Sequence, residues 1–247
     1  MNVLQGKKAL VTGASRGIGA AIAKRLAADG ADVAITYENS AEKAQAVVSD
    51  IEKLGRRGFA IKANSADPAA VKAAVDRAAK ELGGLDILIN NAGIFRGGGA
   101  LETITLEDID ATLAVNVRAV VLASQAAAAH MGEGGRIISI GSNLATRVPD
   151  AGMSLYSMSK SALIAWTQGL ARDLGPRGIT VNIVHPGSTN TDMNPAAGEQ
   201  AEAQRARMAI PRYGKPEDLA ALVAFVASPE ARSINGAGLL VDGGANA

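Results

Sequence analysis

Seven short, nearly continuous apolar runs, separated by longer stretches with helical spacing, constrain this chain more than any other feature. The runs are KALVTGA (8–14), DVAITY (32–37), RGFAIKA (57–63), LDILINNAG (85–93), GRIISIGS (135–142), GITVNIVHPG (178–187) and GLLVDGG (238–244). Between them, residues near 18–30, 40–55, 67–83, 105–131, 154–175 and 216–228 repeat apolar side chains at helical spacing. A strand apolar on both faces must be covered on both faces, which is the situation of a parallel sheet between two helix layers. Right-handed crossovers then give a doubly wound, seven-stranded α/β sheet. No Pro/Gly/Ser-rich linker, repeat or charge block interrupts the alternation, so residues 1–247 read as a single domain. The least patterned stretch, 188–215, is polar and holds two prolines. It lies beyond a strand's carboxyl end, where long loops carry function, and is expected to be a substrate loop.

Composition removes several function classes. Twenty-five basic and 24 acidic residues nearly cancel, so no global field argues for nucleic acid or an anionic membrane. With no cysteine there is no disulfide, thiolate nucleophile or thiolate metal site, and His130 and His185 are too isolated to form a metal centre. The start, MNVLQGKKALVTGAS, has too short an apolar run for a signal peptide, and no segment approaches ~18 uninterrupted apolar residues. The expectation is a soluble cytoplasmic protein.

Two local patterns carry chemistry. TGASRGIG (12–19) joins the first strand to the first helix, where Gly13, Gly17 and Gly19 allow a tight turn and a close approach to a pyrophosphate. The spacing differs from GxGxxG. In SLYSMSK (154–160), Tyr156 is the one tyrosine of three with a lysine four residues on, Lys160. Residues i and i+4 share a helix face, so the ammonium stands beside the phenol. A free phenol titrates near ~10, and a neighbouring cation is expected to lower that value.

TGxxxGxG at 12–19, NNAG at 90–93, Asn116, Ser142, Tyr156/Lys160 and PGSTNTDM at 186–193 stand in the order seen in short-chain dehydrogenases/reductases. The chain resembles that family over its whole length, and within it 3-oxoacyl-carrier-protein reductases and polyhydroxynaphthalene reductases. The resemblance implies a Rossmann fold and reversible reduction of a carbonyl to a secondary alcohol by hydride transfer from a nicotinamide cofactor. It further implies that Tyr156 is the general acid/base and that Lys160 holds the cofactor ribose. Ser142 would hydrogen-bond the substrate oxygen, and Asn116 would hold a water that relays protons to Lys160. Many family members place the serine thirteen residues before the tyrosine, which selects Asn143 here; the strand end ISIGS selects Ser142 instead, with Ser139 inside the strand.

By the same resemblance the cofactor contacts are Gly13, Ser15, Arg16, Gly17, Ile18 and Gly19 in the turn, with Asn64 and Ser65 near adenine. Asn91, Ala92 and Gly93 would lie beside the adenosine ribose, and Pro186, Gly187, Thr189 and Thr191 around the carboxamide. The residue ending the second strand is Tyr37 rather than Asp; with Arg16, Asn39 and Ser40 available to a 2′-phosphate, NADP is favoured over NAD. Glu38 is the complication, since a one-residue slip makes it the NAD-type acid. Expected pocket walls are Ile94, Phe95, Leu144, Met153, Ser188 and Met193, with Arg147 and Arg96 adding polarity, which suits a neutral or mostly apolar carbonyl compound. An acyl carrier protein is not the favoured partner, because HMGEGG (130–135) carries Glu133 where carrier reductases present basic residues, although Arg177 lies nearby. The resemblance also implies a homotetramer. The rival readings are a dinucleotide-sensing protein without turnover and an epimerase or dehydratase of the extended branch.

Overall fold

Strand β1 (Lys8–Val11) sends Ala9 and Val11 into one apolar layer and Leu10 into the other, as the two-residue period of a strand requires. Each later strand beside it divides its residues in the same way, which accounts for the unbroken apolar runs. A computed structural model describes residues 2–96 and 98–247. Among these, β1, β2 (Asp32–Tyr37), β3 (Gly58–Lys62), β4 (Ile87–Asn90), β5 (Arg136–Ile140), β6 (Thr180–Pro186) and β7 (Gly238–Val241) form one sheet. Its order is β3-β2-β1-β4-β5-β6-β7 and every pairing is parallel. The doubly wound seven-stranded sheet read from the sequence is the one observed.

Helices α1 (Gly17–Ala28), α2 (Ala41–Lys53) and α8 (Pro216–Ala227) cover one face, packing Ile22, Leu26, Val47, Ile51, Leu219 and Val223 on the sheet. Helices α3 (Pro68–Leu82), α5 (Ala119–His130) and α6 (Ser154–Leu174) cover the other through Val71, Val75, Ala123, Ala127, Leu170 and Leu174. Helix α3 shows how local chemistry sets a boundary. The Asp67 carboxylate accepts from Ala69 N at 2.9 Å and Ala70 N at 3.3 Å, Pro68 occupies the first turn, and Gly83 ends the helix at φ 75°.

The helical stretch expected over 105–131 is not uniform. Helix α4 (Leu106–Leu113) leads through a π-helical turn (Ala114–Arg118) into α5, and Asn116 sits in that wider turn. Residues Leu106–His130 are long and apolar enough to cross a membrane by composition, yet 56% of their most apolar 18-residue stretch is buried inside the fold. The 188–215 stretch is also less irregular than expected, because it contains the short helix α7 (Ala201–Arg205) and a bridge between Thr189 and Gly214.

Strand order reverses between β1 and β4. The chain leaves β1 toward α1 and β2 on one side, and leaves β4 toward β5 on the other, so a crevice opens beyond their carboxyl ends.

Candidate active site

The crevice is one continuous cavity of about 1000 Å³ running from the glycine turn to Tyr156. Its first wall is built by hydroxyl groups the sequence reading did not single out. Thr12 Oγ1 accepts from the backbone N–H groups of Asn91 and Ala92, each at 3.0 Å, and Thr36 Oγ1 accepts from Gly13 N at 3.0 Å. Asn91 Nδ2 donates to Thr12 O at 2.8 Å and Gly13 O at 3.0 Å, so the end of β4 is tied to the turn after β1. The backbone approach requires glycine: Gly13 has φ 61°, and a Cβ there would lie 2.8 Å from Ala92 Cα. Asn91 thus acts here as a tie for the turn while still lining the cavity.

Helix α1 starts at Gly17 with Arg16 as an N-cap that makes no side-chain capping bond, and there is no acid in its first turn. Its first N–H groups are therefore left for an anion. Gly13, Ser15, Arg16, Gly17, Ile18 and Gly19 line the cavity, followed by Tyr37, Asn39, Ser40, Ser65, Ala92 and Gly93. Glu38 lines it as well, exposed beside Tyr37. Asn64 is brought elsewhere: it is absent from the cavity lining, and its Oδ1 accepts from Ala66 N at 2.8 Å, turned into its own loop.

At the far end, α6 presents Tyr156 and Lys160 on one face. The Phe95 ring meets Tyr156 edge-on, 5.3 Å between centroids, and Lys160 is buried at 5% exposure. The sequence led us to expect the ammonium to lower the phenol's pKa. Instead burial dominates and pushes Tyr156 up to about 12, with a hydrogen bond from Ser142 opposing part of the rise. The reason is geometric. Lys160 Nζ donates to Ile140 O at 2.9 Å and stands 5.8 Å from the centre of the tyrosine ring, and its own burial brings it down to about 8.

Ser142 follows β5 directly and caps a 3-10 turn, Asn143–Ala145, its Oγ accepting from Leu144 N at 3.1 Å. With that lone pair occupied, the hydroxyl proton is turned toward Tyr156 at the end of the cavity. Asn143 also lines the cavity, whereas Ser139 is paired with Asn90 inside the sheet. Asn116 does not line the cavity. Its Oδ1 accepts from Ile94 N and its Nδ2 donates to Ile94 O, both at 2.9 Å, and Nδ2 also donates to Ser159 Oγ at 3.0 Å. Ser159 Oγ in turn donates to Tyr156 O at 2.7 Å, so Asn116 links the loop after β4 to the turn of α6 that carries the tyrosine. A Cβ on Gly93 would lie 3.3 Å from Lys160 Nζ and 3.4 Å from Asn116 Oδ1, so both polar atoms occupy the space a side chain there would need.

The stretch after β6 forms the roof. Pro186, Gly187, Thr189 and Thr191 all line the cavity, and Thr189 Oγ1 donates to Gly187 O at 3.1 Å. Asp192 faces two cations, Arg16 at 3.6 Å and Lys43 at 3.3 Å, across the glycine-turn end. Near Tyr156 the six expected wall residues, Ile94, Phe95, Leu144, Met153, Ser188 and Met193, are all present, and so is Arg147. Arg96 is not; it faces Asp108 at 4.0 Å. An ion pair of Arg207 with Asp150 spans this end, and Gln204 Oε1 accepts from Ser188 Oγ, Asn194 Nδ2 and Tyr213 OH at 2.6, 2.9 and 3.0 Å. Asn246 closes the wall by donating to Asn143 O at 2.7 Å. Nothing in the sequence pattern marked Asn246 or Arg207, because each acts through a partner about 100 or 57 residues away.

Among the described residues no cluster of three or more metal-ligating side chains occurs. Arg177, considered as a docking residue for a carrier protein, donates to Ala128 O at 2.7 Å and Met131 O at 2.9 Å at the end of α5.

A family model described as enoyl-(acyl carrier protein) reductase matches residues 13–246. The cyclic-di-GMP-binding biofilm dispersal mediator protein of Escherichia coli (strain K12) is 45% identical over 243 residues, covering 98% of each chain. The 3-oxoacyl-[acyl-carrier-protein] reductase of Staphylococcus aureus (strain Mu50 / ATCC 700699) is 40% identical over 241 residues, 96% of this chain and 97% of its own. Among solved structures, a short chain dehydrogenase from Burkholderia cenocepacia J2315 in complex with NADP superposes with a TM-score of 0.98 at 77% identity, covering 99% of both chains.

Proposed function

The chain belongs to the short-chain dehydrogenase/reductase family, and we propose that this oxidoreductase is an NADP(H)-dependent carbonyl reductase with Tyr156 as its general acid/base. One observation carries the reading: a single cavity joins an uncapped helix N-terminus and a Cβ-free glycine turn to the half-buried Tyr156 beside the buried Lys160 and Ser142. A dinucleotide fits such a crevice, its pyrophosphate on the Gly13–Gly19 turn and its 2′-phosphate near Arg16. The 77%-identical relative solved with NADP supports the choice of phosphate form.

When bound, the cofactor supplies or accepts hydride at the substrate carbon. The protein's part is positional and electrostatic. Ser142, whose Oγ lone pair is already held by Leu144 N, donates a hydrogen bond to the carbonyl oxygen without giving up its proton. Tyr156, kept neutral by burial, donates its phenolic proton to the same oxygen as charge develops there. Lys160 then lies 5.8 Å from the ring to favour the phenolate left behind. Asn116 fixes the α6 turn through Ser159, and the remaining lone pair of its Oδ1 can take the water of the expected relay. Phe95, Leu144, Met153 and Met193 give the substrate end apolar walls, which favours a largely apolar ketone.

We infer in addition that the protein forms the homotetramer the resemblance implies, through α5 and α6; Met158 on α6 is 49% exposed, and Leu106 and Leu113 on α4, which runs on into α5, are 71% and 37% exposed. A 3-oxoacyl carrier protein substrate is the narrower alternative, supported by the 40% identity to such a reductase and opposed by the engagement of Arg177. Nucleotide binding without turnover is a second reading, supported by the printed name of the 45%-identical relative.

The test follows NADPH oxidation by absorbance, with NADH in parallel, against an aromatic ketone, a 1,2-diketone, a sugar and an acetoacetyl thioester. Turnover is expected with at least one, falling ~10²–10⁴-fold in Tyr156→Phe without loss of NADPH binding. Tight NADPH binding with no turnover across the panel would favour the binding-only reading.

A further inference from the structure

Where the β5–β6 ladder runs out, a side chain takes over from the backbone. The register pairs Ile140 with Val184, and Gly141 N adds a bond to Val184 O at 2.8 Å. Ser142, next in line, has no strand partner. Its two peptide groups are held instead by the imidazole of His185: Ser142 N lies 3.3 Å from Nδ1, and Nδ1 lies 2.9 Å from Ser142 O. In one neutral tautomer Nδ1 accepts from the serine N–H, and in the other it donates to the serine carbonyl, so either form grips the same residue.

The space for the ring is provided on both sides by missing side chains. A Cβ on Gly141 would lie 2.5 Å from His185 Nδ1, and one on Gly238 would lie 3.2 Å from Nε2. The ring is 3% exposed, and burial, helped by nearby Lys160, lowers its pKa against the bond to Ser142, which raises it. A position that needed only volume would be filled more favourably by an apolar side chain, because burying an imidazole costs desolvation unless its nitrogen is used. Here the nitrogen is used on the one residue whose hydroxyl must be aimed.

We infer that His185 is a positioning residue for Ser142, setting where the serine hydroxyl meets the substrate oxygen. The inference rests on the proposed role of Ser142. Together with Lys160, which bonds Ile140 O from the helix side, His185 holds the residues leaving β5 from two directions. Such bracing matters because a catalytic donor must be held within ~0.5 Å of its productive place.

The experiment is a double-mutant cycle with His185→Leu and Ser142→Ala, using the ketone of the panel that turns over best, with hydrogen exchange of the 141–145 segment as a readout independent of activity. His185→Leu is expected to lower kcat ~10-fold, to leave NADPH binding within twofold and to speed exchange of that segment. It should have no further effect in the Ser142→Ala background. His185→Asn, whose amide can occupy the place of Nδ1, should restore kcat and protection, whereas His185→Gln, which mimics Nε2, should not. This pair decides the matter should the leucine variant fail to fold. Equal losses in both backgrounds, unchanged kcat in His185→Leu, or an active Gln variant beside an inactive Asn variant would overturn the assignment. If Ser142→Ala alone keeps full kcat, the reading of Ser142 falls and takes this one with it; an impaired Ser142→Ala with additive His185→Leu removes only the role of His185.

Discussion

The Lys160 ammonium donates a hydrogen bond to the carbonyl oxygen of Ile140 at 2.9 Å and stands 5.8 Å from the centre of the Tyr156 ring. The lysine therefore braces the end of β5 as well as standing beside the proposed acid/base. Its charge is held in a site that penalises charge, which is why its pKa falls to about 8 while that of Tyr156 rises to about 12. At neutral pH the pair is thus a neutral phenol and a lysine that is mostly but not wholly protonated. That state suits proton donation, the reductive direction, and oxidation is expected to gain as pH rises.

This arrangement sets a stability test with a definite sign. The folded pKa of Lys160, about 8, lies below the usual 10.5, so the unfolded chain binds more protons between those values. Wild-type stability then rises with pH through that window, and below it the buried charge costs about 3 kcal/mol. Lys160→Met removes the charge but also the Ile140 bond, worth about 1 kcal/mol. Urea titration at pH 7 should find the variant more stable by about 2 kcal/mol and devoid of turnover, with the advantage gone near pH 10.5. Tyr156 is present in both proteins and largely cancels. A variant less stable than wild type at pH 7 would show that the lysine is not held at a penalty.

At the opposite end of the cavity Asp192 faces Arg16, the proposed 2′-phosphate contact, and Lys43. A bound phosphate would compete with that carboxylate. Arg16→Ala should weaken NADPH about 10- to 100-fold, the worth of a charge-assisted contact, and NADH by less than threefold. Asp192→Asn should act oppositely, tightening NADPH a few-fold at low ionic strength, with the gain fading as salt is raised. Equal losses for both cofactors in Arg16→Ala would remove arginine from the phosphate site and restore Glu38 as a candidate selector.

The ion pair of Arg207 with Asp150 joins the segment after α7 to the loop before α6 across the substrate end. Both side chains are more than a third exposed, so the pair is weak in isolation. Arg207→Ala should raise KM for the ketone about fivefold while kcat stays within twofold and NADPH affinity is unchanged. A fall in kcat with constant KM would place Arg207 in the chemistry rather than at the entrance.

The strands and the Tyr156/Lys160 pair were legible in sequence because their signals are local: a two-residue burial period, a glycine turn after a strand, an i,i+4 spacing. The same locality placed Ser142, once it was counted from the end of β5. What stayed hidden depends on residues far apart in the chain. Thr12 is an ordinary strand-end threonine until the backbone of Asn91 and Ala92 arrives beside it, and His185 is an isolated histidine until Gly141 and Gly238 flank it. The direction of the Tyr156 shift is hidden for a similar reason, since spacing brings Lys160 onto the same face but reveals neither the burial of the phenol nor the carbonyl of Ile140 that accepts from the ammonium. Asn64 reads as a cofactor contact by position, yet its Oδ1 is engaged within its own turn.

Two glycines with nearly the same backbone conformation separate cofactor binding from fold strain. Gly13 and Gly55 have φ of 61° and 72°, so alanine is disfavoured at both by about 1–2 kcal/mol. A Cβ at Gly55 meets nothing within 4 Å, whereas one at Gly13 would press on the backbone of Ala92 at 2.8 Å, in the wall that faces the proposed pyrophosphate. Gly55→Ala should therefore lower the melting temperature by a few degrees and leave NADPH affinity within twofold. Gly13→Ala must displace Ala92 and its bond to Thr12 Oγ1, and should destabilise the protein further while weakening NADPH at least 10-fold. Thermal melts with and without NADPH measure both effects, because a ligand that still binds raises the midpoint and one that does not leaves it unmoved. If Gly13→Ala is stabilised by NADPH as much as Gly55→Ala is, the turn after β1 is a structural bend and the pyrophosphate lies elsewhere in the crevice.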